Sequence, residues 1–103
     1  GYDHNWVLNH EAGVLGIAGK AKDPASGRVM EVYTDLPGMQ LYTANFLTDE
    51  RPGKGGAHYN RRHAFCFETQ YYPDACHKAN FPSPILKSGD TYKTTTIYKF
   101  YAE

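Results

Sequence analysis

The chain has 103 residues and a formal net charge of zero, with 41% hydrophobic and 21% charged residues. These values describe one small globular domain and exclude long disordered segments and membrane spans. Lysine and arginine are scattered along the sequence rather than clustered, so the charge pattern predicts no nucleic-acid partner.

The aromatic and cysteine residues add expectations about structure and location. Nine tyrosines, five phenylalanines and one tryptophan favour strand-rich structure, and aromatic faces are also common in carbohydrate sites. Two cysteines do not make a disulfide framework, although the sequence also allows a single bridge between Cys66 and Cys76. Cys66 lies in an apolar run and is predicted to be a buried free thiol. Reduced thiols, with no visible signal peptide or lipidation motif, predict a cytoplasmic protein.

The first part of the sequence predicts short strands and one hairpin. A short apolar run at 6–8 is followed by a longer one at 14–22, and then by a run at 28–35 rich in β-branched and aromatic residues. Residues 23–27, Asp-Pro-Ala-Ser-Gly, stand between the last two runs. These are turn-forming residues, and they predict a hairpin connection between two antiparallel strands.

The rest of the sequence predicts further strands separated by polar loops. Residues 39–47 are predicted to form one strand, with Gln40 on the opposite face from its two neighbours. The glycine-rich segment 48–56 predicts a surface loop and lacks the spacing of a phosphate-binding loop. The segments 63–71 and 91–101 predict the last two strands. Because no helical period is present, the sequence predicts an all-β protein with antiparallel β-sandwich architecture.

Glu68 is the main candidate for chemistry, because it is a carboxylate in an aromatic and apolar strand. A carboxylate near a core must be paired, hydrogen-bonded or neutral. Glu68 is therefore either a general acid or base, or a surface carboxylate paired with Arg61 or Arg62. Asp3, which stands beside aromatic residues, either binds a hydroxyl group or caps a turn.

Residue spacing predicts neither a metal site nor a nucleophile. The histidines match no zinc-ligand spacing, and Cys76-His77 is a pair without a second pair. Cys66 has no evident activating neighbour for nucleophilic catalysis. The histidines concerned are His4, His10, His58, His63 and His77.

Several stretches taken together resemble one family. GYDHNWVL, SGRVMEVYTDLPGMQLYTANFL, GKGGAHY, FCFETQYYPDA and NFPSPILKSGDTYKTTTIYKF occur here in the order found in aldose 1-epimerases of the galactose mutarotase type. The family's enzymes are several times longer, and the resemblance is to their C-terminal part. It implies that residues 1–103 are the C-terminal segment of a single galactose mutarotase-like domain, and hence a partial β-sandwich of that type.

The resemblance also implies a reaction, the interconversion of the α and β anomers of aldoses such as galactose or glucose by acid/base ring opening and closure. Glu68 falls on the general base, which takes the proton of the anomeric hydroxyl. Asp3 and Gln40 fall on residues that contact the sugar. The family uses no metal and no organic cofactor. Its catalytic acid is a histidine in a segment without a counterpart here, so the resemblance assigns none of these five histidines to that role.

Other functions stay open beside this one. A carbohydrate-binding β-sandwich without turnover would keep Asp3 and Gln40, and a fragmentary product would keep the sequence without the activity. A hexose-6-phosphate 1-epimerase would need a basic phosphate pocket, for which Lys54, Arg61 and Arg62 are the nearby candidates. Tyrosines close to these residues either shape a pocket or fill the core; they are Tyr42, Tyr71 and Tyr72.

A partial sandwich has consequences for partners. It would leave strand edges unpaired and one core face exposed. The expected partners are therefore a small-molecule aldose and, for the exposed face, a separately made N-terminal half or a second copy of the chain.

Overall fold

The computed structural model describes all 103 residues, and its regular structure is almost entirely β. Two single-turn 3-10 helices, Lys54–Gly56 and Ala75–His77, lie in the loops, and no helix is long and apolar enough to cross a membrane. The prediction of an all-β protein is confirmed. The six strands are β1 (Asp3–Val7), β2 (Gly16–Lys22), β3 (Arg28–Thr34), β4 (Gly38–Tyr42), β5 (Cys66–Gln70) and β6 (Thr96–Ala102).

The strands form two three-stranded antiparallel sheets. Sheet A has the order β1-β4-β5, and sheet B has the order β2-β3-β6. The predicted hairpin is the β2–β3 pair of sheet B. Its turn is held by the Asp23 carboxylate, which accepts the N–H groups of Ala25 at 3.1 Å and Ser26 at 3.2 Å. Gly27 ends the turn at φ +72°, where a Cβ would lie 2.6 Å from the Glu103 carbonyl oxygen, so only glycine fits there.

The two sheets meet through alternate residues of sheet A. A Cβ at Gly19 of β2 would lie 2.8 Å from the Met39 Cε, so this glycine lets the methionine approach sheet B. On the same face of sheet A, the Thr69 hydroxyl is 2.7 Å from the Thr96 hydroxyl of β6. Met39 and Thr69 are also register partners. The inward face of sheet A is therefore the one that carries these two residues, and the architecture is that of a small, partial β-sandwich.

Few side chains are fully buried. Val32 and Thr34 of β3 have no exposed surface, because β3 is the middle strand of sheet B. Large apolar side chains are exposed elsewhere, among them Phe46 at 78% and Phe100 at 71%. With such a small core, each buried apolar group carries a large share of the stability. The buried apolar residues are Val29, Val32, Leu36, Met39, Ala44 and Ala75.

Several predicted strands are shorter in the structure. The strand predicted at 39–47 ends at Tyr42, since Ala44 has φ +52° and cannot continue a strand. The segment predicted at 63–71 is paired only over β5, and the one at 91–101 begins pairing at Thr96. The prediction that Cys66 is buried is wrong. Cys66 is exposed, because it lies opposite Tyr42 on the outward face of sheet A. The prediction that Cys66 is a free thiol is confirmed.

The loop that precedes β6 is fastened to the end of β3 by Asp35. The Thr94 hydroxyl donates to the Asp35 carboxylate, and the Thr95 N–H donates to both of its oxygens at 3.1 and 3.0 Å. The hydroxyl of Thr94, helped by backbone N–H donors, lowers the pKa of Asp35 against a smaller opposing effect of burial. The folded chain therefore binds the ionised carboxylate more strongly than the unfolded chain does.

We expect Val32→Ala to lower the free energy of unfolding by about 2 kcal/mol, since it removes two methyl groups from a fully buried site and leaves a cavity. Urea unfolding followed by far-UV circular dichroism measures this change. Val14→Ala is the matched control. Val14 is 53% exposed, so its replacement should change stability by less than about 0.5 kcal/mol. Equal effects of the two variants would contradict the placement of the core.

The Asp35 contacts also predict an acid dependence of stability. A carboxylate whose pKa is lowered by folding contributes stability above its unfolded pKa, and that contribution is lost as the pH falls through about 4 and below. Asp35→Asn should therefore lower the melting temperature at neutral pH more than at pH 3. A difference between wild type and variant that does not change over this range would show that Asp35 does not act through its charge.

Candidate active site

The outward face of sheet A carries a row of polar side chains across all three strands. In the register, Asn5 of β1 lies opposite Gln40 of β4, and Gln40 lies opposite Glu68 of β5. Directly opposite residues point to the same face with Cβ atoms about 5 Å apart. Asp3 stands two residues before Asn5 and shares that face. The structure thus brings together all three residues predicted from sequence, Asp3, Gln40 and Glu68.

This polar face points away from the rest of the chain. Residues that alternate with the polar row, such as Met39 and Thr69, contact sheet B instead. Asp3 and Glu68 are exposed, and Gln40 is half-buried between them. The local sequence causes this arrangement, because polar and apolar residues alternate along β4 and β5 with the period of a strand.

A chain of side-chain amides fixes the orientation of Gln40. The Gln40 Nε2 donates to the Asp3 carboxylate at 2.8 Å. The Gln70 Nε2 donates to the Gln40 Oε1 at 2.9 Å and to the Asn5 Oδ1 at 2.9 Å. One N–H of Gln40 and one oxygen of Asp3 are left over after these bonds, because an amide nitrogen carries two protons and a carboxylate has two oxygens. The row therefore presents a donor and an acceptor at fixed positions.

The side chain of Glu68 makes no hydrogen bond or ion pair within the chain. The structural alternative, in which it pairs with Arg61 or Arg62, is wrong. Arg62 lines a groove together with Leu41, which lies on the inward face of sheet A. The expectation that Glu68 stands near a core is also wrong, since its strand is at the edge of sheet A and its side chain is exposed. Its carboxylate is available to accept a proton from a ligand.

Aromatic side chains flank the row, but each also has a packing partner. The Tyr42 ring stacks on Phe46 with centroids 6.4 Å apart, and its hydroxyl oxygen accepts the Phe46 N–H at 3.1 Å. The Tyr72 ring meets Phe81 edge to face at 5.2 Å. It also lies 2.9 Å from where a Cβ of Gly38 would be. Gly38 therefore leaves the space in which Tyr72 packs beside the polar row.

Asn5 and Gln70 were not singled out by sequence reasoning, although both belong to the row. The alternation of side chains along a strand could have identified them. Asn5 is two residues after Asp3, and Gln70 is two residues after Glu68, so each shares a face with a predicted site residue. Pairing across strands then decides that these faces coincide, and this cannot be read from either strand alone.

The polar row lies on an open surface rather than in an enclosed cavity. The structure has a cleft of about 640 Å³ among the loops, lined by Asp35 and Tyr71 among others, and it contains none of the three predicted residues. Glu68 lines a second groove of about 670 Å³, between β5 and β6, in which Asp3 and Gln40 take no part. Within this chain, the walls that would enclose a ligand over the row are not formed.

Two antiparallel sheets with carboxylates and amides along one open face define a partial β-sandwich with a polar surface. Comparison with known proteins agrees with this class. The sequence model of the aldose 1-epimerase family matches residues 1–99. The chain therefore belongs to the aldose 1-epimerase family, and the resemblance seen in its motifs is confirmed.

Individual relatives agree with the family assignment. The galactose mutarotase of Bos taurus is 45% identical over 100 residues, and that of Homo sapiens is 44% identical over 100 residues. Both matches cover 97% of this chain and 29% of the relative. The aldose 1-epimerase of Escherichia coli is 30% identical over 105 residues, which cover all of this chain and 30% of that enzyme. The chain thus spans less than a third of the length of these relatives.

We expect Gln70→Ala to remove one of the two hydrogen bonds that hold the Gln40 amide and to lower the free energy of unfolding by about 1 kcal/mol, because the bonds of Gln70 to Gln40 and Asn5 are lost. The side-chain NH2 signals of Gln40 in a 15N-resolved NMR spectrum should move at the same time. Asn80→Ala, at an exposed position, should change neither quantity. Unmoved Gln40 signals in Gln70→Ala would contradict the amide chain.

Proposed function

We propose that this chain supplies the general base and part of the sugar-binding surface of an aldose 1-epimerase, which interconverts the α and β anomers of an aldose such as galactose or glucose. Glu68 is the base, and Asp3 and Gln40 hold sugar hydroxyl groups. The names of the relatives, galactose mutarotase and aldose 1-epimerase, support this reaction. The position of Gln40 supports the site, since it is hydrogen-bonded to Asp3 and lies opposite Glu68.

In this proposal the Glu68 carboxylate takes the proton from the anomeric O1–H. The electron pair left on O1 forms the C1=O bond, and the bond between C1 and the ring oxygen breaks as the ring oxygen gains a proton. Rotation about C1–C2 then presents the other face of the carbonyl, and the same transfers in reverse close the ring. General base catalysis of this kind contributes about a hundredfold or more to a rate.

None of the five histidines stands on the polar row: His4 is the only one in a strand, and the other four lie in loops or in a 3-10 helix. His4 alternates with Asp3 and Asn5, so it lies on the inward face, where its ring contacts Tyr2 with centroids 5.6 Å apart. His58 is bound to Asp49 at 2.9 Å in the β4–β5 loop. We therefore infer that the acid is supplied by water or by protein outside these 103 residues.

Sugar binding rests on the leftover hydrogen-bonding groups of the row. A sugar hydroxyl both donates and accepts, so it can donate to the free oxygen of Asp3 while it accepts from the free N–H of Gln40. Both groups are carried by strands rather than loops, and Gln70 holds the Gln40 amide in one orientation. Such prior fixation reduces the entropy lost when a flexible, strongly hydrated ligand binds.

A second function, sugar binding without turnover, is favoured by the openness of the row. Solvent surrounds Glu68 and Asp3 in this chain, and catalysis at a water-filled site loses much of its electrostatic advantage. The hexose-6-phosphate alternative has less support, because Arg62 lines a groove on the inward face rather than the polar row.

Polarimetry of freshly dissolved α-D-galactose tests the base assignment. The wild-type chain should raise the rate at which the optical rotation relaxes. In Glu68→Gln the catalysed rate should be about a hundredfold lower, because an amide cannot accept the proton. Glu11→Gln, which changes an exposed glutamate away from the row, should retain wild-type acceleration.

Sugar binding separates the two functions. Saturation-transfer NMR should detect galactose bound to the wild-type chain and to Glu68→Gln, and much less bound to Asp3→Ala. Binding without acceleration in the wild-type chain would support the binding function and overturn catalysis by this chain. Acceleration that survives in Glu68→Gln would show that Glu68 is not the base.

A further inference from the structure

A cluster of three different metal-binding side chains lies in the β5–β6 loop, outside the polar row. Asp74, Cys76 and His77 place a carboxylate oxygen, a thiol sulfur and an imidazole nitrogen within 4.8 Å of one another. The His77 Nδ1 is 2.5 Å from the Asp74 Oδ1 and 3.6 Å from the Cys76 Sγ. Spacing in the sequence gave only the Cys76-His77 pair, and the fold of the turn adds the third donor.

We propose that Asp74, Cys76 and His77 form a binding site for a divalent transition-metal cation of the zinc type. A thiolate, an imidazole and a carboxylate are all ligands of zinc, whereas calcium and magnesium select oxygen ligands only. Three protein ligands leave a fourth tetrahedral position to water. This site stands independently of the proposed epimerase function.

Two of the three donor separations can be compared with those around a zinc ion, and the third, between sulfur and oxygen, is within 4.8 Å. With zinc–sulfur and zinc–nitrogen bonds of about 2.3 and 2.05 Å at a tetrahedral angle, the two donor atoms are separated by about 3.6 Å. The observed separation of the Cys76 Sγ and the His77 Nδ1 is 3.6 Å. The oxygen and nitrogen donors would separate by about 3.3 Å, so Asp74 needs to move outward by less than 1 Å from its 2.5 Å contact with His77.

The turn that carries these ligands is held by residues beside them. Asp74 adopts a left-handed conformation at φ +58° and begins the 3-10 helix Ala75–His77. Its carbonyl accepts the His77 N–H at 3.0 Å. Ala75 is buried beneath the turn and fixes its position. The three ligands are therefore grouped before a cation arrives, which reduces the cost of assembling the site.

A catalytic triad is the competing interpretation of a cysteine, a histidine and an aspartate. In a triad the imidazole uses one nitrogen for the nucleophile and the other for the carboxylate. Here the same nitrogen, Nδ1 of His77, faces both Cys76 and Asp74. A thiol and a carboxylate that face the same imidazole nitrogen do not form a proton relay, and three donor atoms within 4.8 Å of one another suit a cation.

Two features of the turn limit the affinity. Lys78 places its ammonium 3.7 Å from the Asp74 Oδ2, so a cation must compete with that charge. The side chains of His77 and Asp74 are 77% and 53% exposed, which leaves the bound ion open to water. We therefore expect an accessible site that exchanges its ion with solution, rather than a sealed structural zinc site.

Titration of cobalt(II) into the reduced, metal-free chain tests the site, because a cobalt–thiolate bond gives a near-ultraviolet charge-transfer band. We expect one cobalt per chain, displacement of the cobalt by zinc, and loss of the band in Cys76→Ser. Cys66→Ser is the matched control and should keep the band. Asp74→Asn and His77→Gln should each weaken binding about tenfold or more.

Differential alkylation gives a test that needs no variant. Cys66 and Cys76 are both exposed free thiols, so zinc should slow the reaction of iodoacetamide with Cys76 and leave Cys66 unaffected. Equal rates at Cys76 with and without zinc, or the absence of a cobalt–thiolate band, would overturn the proposal. So would a band that depends on Cys66, or binding that is unchanged in both Asp74→Asn and His77→Gln.

Discussion

The pairing of β4 with β1 on one side and β5 on the other is the constraint on which the rest of the structure depends. Its register places Gln40 between Asn5 and Glu68. The preceding residue, Met39, points to the other face and contacts sheet B at Gly19. One strand therefore supplies both the centre of the polar row and a main contact between the sheets. A shift of one residue would turn Gln40 inward and Met39 outward, and it would abolish the site and the core together.

The distribution of burial explains how a chain with so small a core carries well-placed polar groups. The middle strand of sheet B holds the fully buried residues Val32 and Thr34, while many large apolar side chains of the edges and loops are exposed. Order in the polar row does not depend on burial, because the Asp3–Gln40–Gln70 hydrogen bonds connect all three strands of sheet A. The chain spans 29% of the length of its vertebrate relatives, and within it the row stays open to solvent.

The two sites proposed for this chain have different physical character. The polar row lies on paired strands, where backbone hydrogen bonds hold each Cβ and only side-chain rotation is free. The Asp74–Cys76–His77 cluster lies on a short turn that departs from the sheets, where local hydrogen bonds and one buried alanine hold the backbone. Rigid strands suit the fixed orientation that sugar hydroxyls require, whereas an open turn suits a cation that keeps water among its ligands.

The sequence by itself determined the all-β class, the β2–β3 hairpin, the family, and Glu68, Asp3 and Gln40 as candidates, because alternation, turn residues and ordered motifs are local properties of a chain. It misplaced strand ends, because Ala44 takes a left-handed conformation that cannot be predicted from an alanine. Only the tertiary structure decided that Cys66 and Glu68 are exposed, that neither arginine pairs with Glu68, and that Asn5 and Gln70 complete the row. Those outcomes depend on which faces of distant strands coincide. Contacts between residues 30 to 65 positions apart are set by packing of the whole sheet rather than by any local pattern.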